Sequence, residues 1–385
     1  MQITVTTPVH DSFRVKQAAG IFDVPLEDKA SRTFELESPD VRDKTWRIGL
    51  IVGPSGSGKS TVAKHLFGAD LYQNSDWPAD AAVLDGFDKS LQIRDISGLM
   101  ISVGFSSPPS WIRPYSVLSN GEKFRCDLAR ALSLAKISGS DDRTIVFDEF
   151  TSVVDRNVAK VASAAIAIGL RNGIIRGRFV AVTCHYDVAE WLEPDWILDM
   201  ATGTLSRRRL RRPEIQLEVV SCKRDTWPLF AHHHYLSNNL ASSARCFIAL
   251  WNQQPVAFCG VLPLICAKNH WRISRLVTLP DFQGLGIGMR FAETLGEMYH
   301  EQKKRLNITG SHPAVIAHCK KSPLWRNVAV NNAKSRPRVS SLGAYRGSNG
   351  RITVSFEYIG ISPGLNNLGL TKHGGLDDNQ KTRTD

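Results

Sequence analysis

A glycine-rich loop near the start of the chain has the residues and the spacing that bind phosphate. Residues 53–60 read Gly-Pro-Ser-Gly-Ser-Gly-Lys-Ser, between a predicted strand at 47–52 and a predicted helix at 59–67. Glycines let successive backbone N–H groups turn towards one anion, and a helix N-terminus adds partial positive charge. Lys59 is then predicted to reach the β- and γ-phosphates and Ser60 to ligate Mg²⁺. The nucleotide-binding residues predicted here are Gly53, Ser55, Gly56, Gly58, Lys59, Ser60 and Thr61.

Two carboxylates supply the second half of a phosphoryl-transfer site. Residues 144–149 read Thr-Ile-Val-Phe-Asp-Glu, an apolar strand that ends in an acidic pair. At a strand end, one carboxylate can hold Mg²⁺ and the next can orient or deprotonate the attacking water. Alone, such a pair is often a solvated turn. Downstream of the glycine loop, it predicts Asp148 as a metal ligand and Glu149, with Lys59, as catalytic residues.

The segment between these two motifs indicates the type of ATPase. Residues 118–132 read Leu-Ser-Asn-Gly-Glu-Lys-Phe-Arg-Cys-Asp-Leu-Ala-Arg-Ala-Leu, which resembles the signature of the ATP-binding cassette (ABC) family. Ser152-Val-Val-Asp155 is similar to the family's D-loop, and His185 follows a strand as the family's switch histidine does. The resemblance implies that Ser119, Gly121 and Asp155 contact nucleotide and that His185 is catalytic. It also implies a homodimer, because the signature of one subunit completes the nucleotide site of the other.

The chain also departs from that family. Asn120 and Glu122 replace the second glycine and the glutamine of the signature, and only 57 residues separate Ser60 from Leu118. Where the family has its Q-loop glutamine, residues 103–109 read Val-Gly-Phe-Ser-Ser-Pro-Pro. We therefore expect a reduced helical subdomain and a protein that is not a transporter subunit. Phe22 and Phe34 are the candidates for stacking on adenine.

A second anion-binding loop lies in the other half of the chain. Residues 244–262 predict two strands around an Asn-Gln-Gln turn, and a third predicted strand at 271–278 precedes Gln-Gly-Leu-Gly-Ile-Gly at 283–288 and a helix to about Tyr299. This order resembles the GNAT acyltransferase fold, whose glycine loop binds the diphosphate of acetyl-CoA. The resemblance implies an acetyl-CoA site formed by Leu276, Val277, Gln283, Gly284, Gly286 and Gly288.

More than one residue could act as the general acid or base in acetyl transfer. His312, Tyr299 and Tyr345 are all candidates, since the reaction needs a deprotonated nucleophile and a donor for the leaving thiolate. Three consecutive histidines at 232–234 could suggest a metal. Consecutive residues point in different directions, so a polar helix start or a substrate-facing turn is favoured.

Composition and charge indicate the type of partner and the location of the protein. Residues 1–205 hold 22 Lys and Arg against 26 Asp and Glu, whereas residues 206–385 hold 26 against 11. The basic second half favours an anionic partner such as DNA or RNA, and the alternative is a solvated basic face. Seven cysteines without a Cys-x-x-Cys pair, no long apolar run and no secretory signal predict a cytoplasmic protein with no membrane part.

Further buried strands are predicted at 81–84 and 179–183, and helices at 127–137 and 157–170. These features predict an α/β fold in two parts. A P-loop NTPase sheet of the ABC type is expected at 1–205, a basic linker at 206–215, a second α/β domain of the GNAT type at 216–358 and a polar tail at 359–385. The leading function is an ATPase coupled to acyl transfer, with nucleic acid as an acceptor. The alternatives are a nucleic-acid-stimulated ATPase or assembly factor whose GNAT-like domain only binds ligand and, last, a transporter ATPase.

Overall fold

The computed structural model describes most of the chain. The described residues are 1–8, 12–23, 29–39, 43, 45–73, 76–207, 210, 212–234, 238–264, 267–331 and 352–360. They form two compact units. The larger unit holds residues 1–242, 246–259 and 275–290, and the smaller unit holds 243–245, 260–274 and the residues from 291 onward.

An antiparallel ribbon opens the larger unit. Strand β1 (Gln2–Pro8) pairs with β2 (Lys29–Glu35), with Ile3 opposite Phe34. Helix α1 (Phe13–Phe22) lies between them in sequence, capped by the hydroxyl of Ser12. Ile3 is buried, whereas Phe13 and Phe22 are exposed, so the ribbon rather than the helix contributes to the core.

A five-stranded sheet forms the centre of the larger unit. Its order is β4-β5-β3-β6-β7; the first four strands run parallel, and β7 is antiparallel to β6. The strands are β3 (Ile48–Val52), β4 (Thr144–Phe147), β5 (Arg178–Thr183), β6 (Trp196–Asp199) and β7 (Thr204–Ser206). Every residue of β3, β4 and β5 is buried, as expected for parallel strands covered on both faces. Because their carboxyl ends share one edge, the segments that follow them can form one site.

Helices cover this sheet and carry its connections. They are α2 (Lys59–Phe67), α3 (Ile93–Ser102), α4 (Pro108–Trp111), α5 (Asn120–Ile137), α6 (Arg156–Arg171) and α7 (Ala189–Leu192). Helices α5 and α6 bury long runs of small and apolar side chains. Their close packing fixes the positions of their N-terminal turns.

A seven-stranded sheet follows in the chain, in the order β13-β14-β12-β11-β10-β9-β8. Its strands are β8 (Glu218–Cys222), β9 (Arg245–Trp251), β10 (Gln254–Pro263), β11 (His270–Thr278), β12 (Arg305–Gly310), β13 (Trp325–Asn331) and β14 (Thr353–Tyr358). The hairpin between β9 and β10 turns at Asn252 and Gln253, both with positive φ, which is the backbone of a tight two-residue turn. Strand β11 runs parallel to β12, and β14 runs antiparallel to it.

Three helices accompany these strands. They are α8 (Pro228–Ala231), α9 (Ile287–Glu301) and α10 (Pro313–Lys321). Helix α9 begins directly after the second glycine loop. This order of strand, loop and helix repeats the order found at the first loop.

The α/β fold class is confirmed, and most predicted elements lie within a few residues of their expected limits. The predicted strand at 81–84 is wrong: Ala82 makes one isolated bridge with Pro114, and a 3-10 helix, Val83–Gly86, begins there. The predicted helices at 127–137 and 157–170 begin earlier, at Asn120 and Arg156. The domain limits stay a prediction. Residues 208, 209 and 211 of the predicted linker and residues 361–385 of the predicted tail lie outside the described residues.

Three properties of the described residues bear on function. No described helix combines the length and apolarity needed to cross a membrane. No disulfide joins the six described cysteines. No group of three or more His, Cys, Asp or Glu side chains is arranged to hold a metal ion in the described part of the chain.

Candidate functional site

The first glycine loop forms a cradle between β3 and α2. Gly58 has φ +90° and caps α2, a conformation that glycine adopts without strain. A Cβ at position 58 would lie 2.4 Å from Cζ of Phe34, so the close approach of this ring also requires glycine. The Lys59 ammonium donates to the carbonyl oxygen of Pro54 at 2.8 Å and therefore lies folded over the loop.

A cavity of about 460 Å³ opens over this loop. Its lining comes from the loop, the ribbon and the end of β4, and consists of Val5, Ser31, Phe34, Ser55, Gly56, Gly58, Lys59, Ser60, Thr61 and Glu149. Of the predicted phosphate-loop residues, only Gly53 is missing from it; Gly53 is buried against Met200. Of the two aromatic candidates, Phe34 lines the cavity and Phe22 does not.

The acidic pair lies at the end of β4 as predicted. Glu149 has φ +51°, and its N–H donates to the Asp148 carboxylate at 2.8 Å. The Ser152 hydroxyl donates to the Glu149 carboxylate at 2.6 Å. This backbone turn presents Glu149 to the cavity. The left-handed conformation of a non-glycine residue is a strain that is common at functional sites.

Oxygen donors suitable for Mg²⁺ come from two elements. They are the hydroxyl of Ser60 at the start of α2 and the carboxylate of Asp148 after β4. Mg²⁺ prefers oxygen ligands and is usually held by few protein groups together with phosphate oxygens and water. The chemistry of this donor pair therefore fits a Mg-nucleotide, and both residues stay predictions as ligands.

His185 follows β5 at the same edge of the sheet. Its Nδ1 lies 3.2 Å from the Thr151 hydroxyl, and its N–H donates to the Thr183 hydroxyl. Burial lowers the pKa of His185, and the neighbouring positive charge of Arg156 lowers it further. The imidazole is therefore kept neutral at neutral pH, so it can both donate and accept a hydrogen bond.

The signature segment forms the N-terminus of α5. Ser119 is the N-cap: its hydroxyl accepts from the N–H of Glu122, and the Glu122 carboxylate accepts from the N–H of Ser119 at 3.0 Å. This capping box gives a structural reason for a glutamate at position 122. Asp155 caps α6 in a similar way, with its carboxylate accepting from the N–H of Asn157. Ser119 and Asp155 are exposed and do not line the cavity.

The second loop follows β11 and leads into α9. Leu276 and Val277 belong to β11, and the loop contains Gly284 and Gly286, with φ +95° and +79°. The Gln283 side chain donates to the carbonyl oxygen of Thr278 at 3.0 Å. Across the described residues, no backbone partner is found for the N–H groups of residues 284–288, so they can bind an anion.

The candidate proton-transfer residues have different surroundings. Tyr299 is buried in α9 with its ring against Trp271. His312 is the N-cap of α10, and its Nδ1 accepts from the N–H of Ala314 at 3.3 Å. Tyr345 lies outside the described residues. The three histidines at 232–234 follow helix α8 instead of starting a helix, and His234 packs against Trp227.

Two residues that sequence reasoning missed lie against the second loop or the residues just before it. The Ser106 N–H donates to the Gln283 side-chain oxygen at 2.7 Å, and the Arg125 guanidinium lies 4.0 Å from the Asp281 carboxylate. The one signal in the sequence is indirect: the segment 103–109, which contains Ser106, departs from the ABC pattern.

A family model matches the segment that contains the second glycine loop. Residues 212–316 match the model described as the acetyltransferase (GNAT) family. The matched span includes Leu276, Val277 and the whole glycine loop at 283–288. It therefore covers all the predicted acetyl-CoA residues. It also covers two of the three candidates for proton transfer, Tyr299 in α9 and His312 at the start of α10.

Solved structures match both parts of the chain at low similarity. The ribosomal-protein-S18-alanine N-acetyltransferase from Escherichia coli is 16% identical, covers 40% of this chain and 100% of its own length, and has a TM-score of 0.29. A Bacillus subtilis acetyltransferase in complex with CoA is 12% identical over 38% of this chain and 100% of its own, with a TM-score of 0.29.

An ATP-binding cassette in a dimeric post-hydrolysis state bound to ADP and Pi is 16% identical over 49% of this chain and 94% of its own, with a TM-score of 0.35. Comparison with curated proteins gives no match. The chain thus contains a segment, residues 212–316, that matches the GNAT family model, and an α/β sheet that carries a phosphate loop.

Proposed function

We propose that the protein is an ABC-type ATPase that works as a homodimer and couples its ATP cycle to acetyl transfer from acetyl-CoA. The observation that carries the ATPase half is the shared cavity, in which the phosphate loop, Lys59, Ser60 and Glu149 meet. The match of residues 212–316 to the GNAT family carries the other half.

In the proposed ATPase site, the backbone N–H groups of residues 53–60 bind the β- and γ-phosphates. Lys59 releases the carbonyl oxygen of Pro54 and binds phosphate oxygens instead. Ser60 and Asp148 would hold Mg²⁺, which would supply positive charge to neutralise the phosphates. Glu149 accepts a proton from, or orients, the attacking water, and neutral His185 contacts the transferred phosphate.

The positions of the remaining predicted residues support a homodimer. Ser119 and Asp155 are exposed N-caps of α5 and α6 and do not line the cavity of their own chain. With Gly121, they present a hydroxyl, backbone N–H groups and a helix N-terminus to the surface, which suits the phosphates of a nucleotide bound by a second copy.

In the proposed transfer site, residues 276–277 and 283–288 bind acetyl-CoA, with the N–H groups of the loop on its diphosphate. The acceptor is proposed to be nucleic acid. Exposed basic side chains on α10 and β13, including Lys320, Lys321 and Arg326, support an anionic acceptor. His312 and Tyr299 are the described candidates for the proton transfers.

Labelled acetyl-CoA, ATP and either DNA or RNA, incubated with the full chain, test the proposal. We expect label on the nucleic acid with the wild type and a strong loss with Lys59→Ala. No label transfer, together with ATPase activity that nucleic acid does not change, would refute it. CoA binding without any acetylated product would instead favour an ATPase whose GNAT segment only binds ligand.

A further inference from the structure

The second glycine loop is hydrogen-bonded to the segment that replaces the Q-loop. The Gln283 side-chain oxygen accepts from the N–H of Ser106 at 2.7 Å, while its nitrogen donates to the carbonyl oxygen of Thr278 at the end of β11. Both residues belong to the larger unit. Gln283 therefore joins the predicted diphosphate loop to the chain between α3 and α4.

Two glycines bring the backbones together at the same place. A Cβ at Gly284 would lie 2.8 Å from Cβ of Ala165 and 2.9 Å from Cα of Gly104. A Cβ at Gly104 would lie 2.6 Å from the carbonyl oxygen of Gln283. Real Cβ atoms do not approach this closely, so only glycine fits at these two positions and the backbones are in direct contact. Any shift of α6 or of Gly104 must therefore move the loop or break the contact.

A buried charge forms the third connection. Arg125 on α5 is 0% exposed, and its Nη1 lies 4.0 Å from the carboxylate of Asp281, whose side chain is 60% exposed. Nε and Nη2 of Arg125 have no hydrogen-bond partner among the described residues. A buried guanidinium with two nitrogens that make no hydrogen bond is unfavourable, so a small movement that brings Asp281 closer is favoured.

The helices that carry these contacts begin at the surfaces proposed to meet ATP. Arg125 lies six residues, or about 9 Å, along α5 from Ser119. Ala165 lies ten residues, or about 15 Å, along α6 from Asp155. A rigid helix moves as one body, so a displacement of either N-terminus reaches the loop.

We propose that Ser106 and Arg125 are positioning residues of the acyl-CoA loop, and that nucleotide binding changes the affinity for CoA through them. The proposal rests on the proposed function, because it needs nucleotide at the N-termini of α5 and α6. Linkage requires the effect to be reciprocal: CoA changes the affinity for ATP by the same factor.

CoA binding to the full chain, measured by calorimetry with and without Mg-ATP, tests this. The Glu149→Gln variant keeps ATP from being hydrolysed during the titration. We expect Mg-ATP to change the CoA dissociation constant by at least about fivefold. Equal CoA dissociation constants in the two conditions, with both ligands bound, would overturn the proposed coupling and leave the proposed function standing. Failure of either ligand to bind would refute the proposed function itself.

Charge variants made in the Glu149→Gln protein test whether the coupling passes through the contact between Arg125 and Asp281. Asp281→Asn is expected to bring the nucleotide effect on CoA affinity close to onefold, whatever its effect on CoA affinity without nucleotide. The matched control is Asp141→Asn, since Asp141 is similarly exposed and pairs with exposed Arg176 at 3.8 Å. Arg125→Met is expected to act like Asp281→Asn, and Arg125→Lys to keep part of the effect. A full nucleotide effect in Asp281→Asn would overturn the assignment.

Discussion

Lys59 is the residue on which binding of the nucleotide phosphates is expected to depend most. Its ammonium lies over the glycine loop and contacts only a carbonyl oxygen of that loop in the described hydrogen-bond network. We expect Lys59→Ala to lower ATP hydrolysis by at least about 100-fold, because preorganised charge at the phosphates is lost. ATPase assays check this. Lys64→Ala, an exposed change in the same helix, should leave the rate unchanged, and an active Lys59→Ala would contradict the site.

In the proposed ATPase site, Glu149 acts in ATP hydrolysis and not in ATP binding. We expect Glu149→Gln to abolish turnover and to accumulate an ATP-bound dimer, since glutamine keeps the shape of the side chain but cannot accept the proton. Sedimentation with Mg-ATP measures the dimer. The exposed Glu190→Gln variant should hydrolyse ATP normally. A Glu149→Gln protein that stays monomeric with ATP would contradict the homodimer.

At this scale, sequence reasoning succeeded where one residue type has one chemical use. The phosphate loop needs glycine at positive φ, and the structure has Gly56 and Gly58 there. It failed for Arg125 and Ser106, whose roles depend on residues 156 or more positions away in the chain. No local pattern marks a backbone N–H or a helix arginine as the partner of such a distant loop.

Helix α5 shows how one element serves two purposes. Its capping box, formed by Ser119 and Glu122, also holds the predicted signature surface in place. We expect Glu122→Ala to destabilise the protein by about 1 kcal/mol and to reduce ATPase activity, because the N-terminal turn frays. Glu122→Gln retains a hydrogen-bonding side chain and should be close to wild type. Urea unfolding with parallel ATPase assays measures both effects, and equal loss in the two variants would contradict the capping role.

Element boundaries show which local signals could be trusted. The buried parallel strands were predicted correctly from their apolar residues. A parallel sheet is covered on both faces, so its strands need such residues along their whole length. The run at 81–84 is as apolar but does not become a strand. Ala82 bridges only to Pro114, and proline has no N–H with which to extend the ladder. Helices α5 and α6 were predicted too short because their first turns are polar.

The smaller unit depends on a buried acid. Glu357 on β14 accepts from Arg305 on β12 and from Arg326 on β13, and these hydrogen bonds lower the pKa of Glu357 to about 2. The acid has a lower pKa in the folded state than when unfolded. Its contribution is therefore present above about pH 4.5 and is lost as the pH falls towards 2.

We expect Glu357→Gln to lower stability at pH 7 by about 1–2 kcal/mol, because the hydrogen bonds lose their charge. The same variant should lose less stability than the wild type between pH 4.5 and 2. Urea midpoints at several pH values measure this. Glu190→Gln should follow the wild type throughout, and a Glu357→Gln profile parallel to the wild type would contradict the account.

At the scale of the molecule, the α/β class and the position of each glycine loop between a strand and a helix were predictable, because each motif contains its own strand, loop and helix. The contacts that bring Gly104, Arg125 and the loop at 281–284 together were not. They depend on packing between segments far apart in the chain, and periodicity carries no information about such pairs.

Mass spectrometry of nucleic acid and protein from cells that express the wild type, Lys59→Ala or Gly286→Val tests the central claim most directly. Gly286 has φ +79°, so valine at this position strains the loop. We expect an acetylated species with the wild type that is absent with Gly286→Val and strongly reduced with Lys59→Ala. The same species in all three, or in none, would contradict an ATP-coupled acetyltransferase.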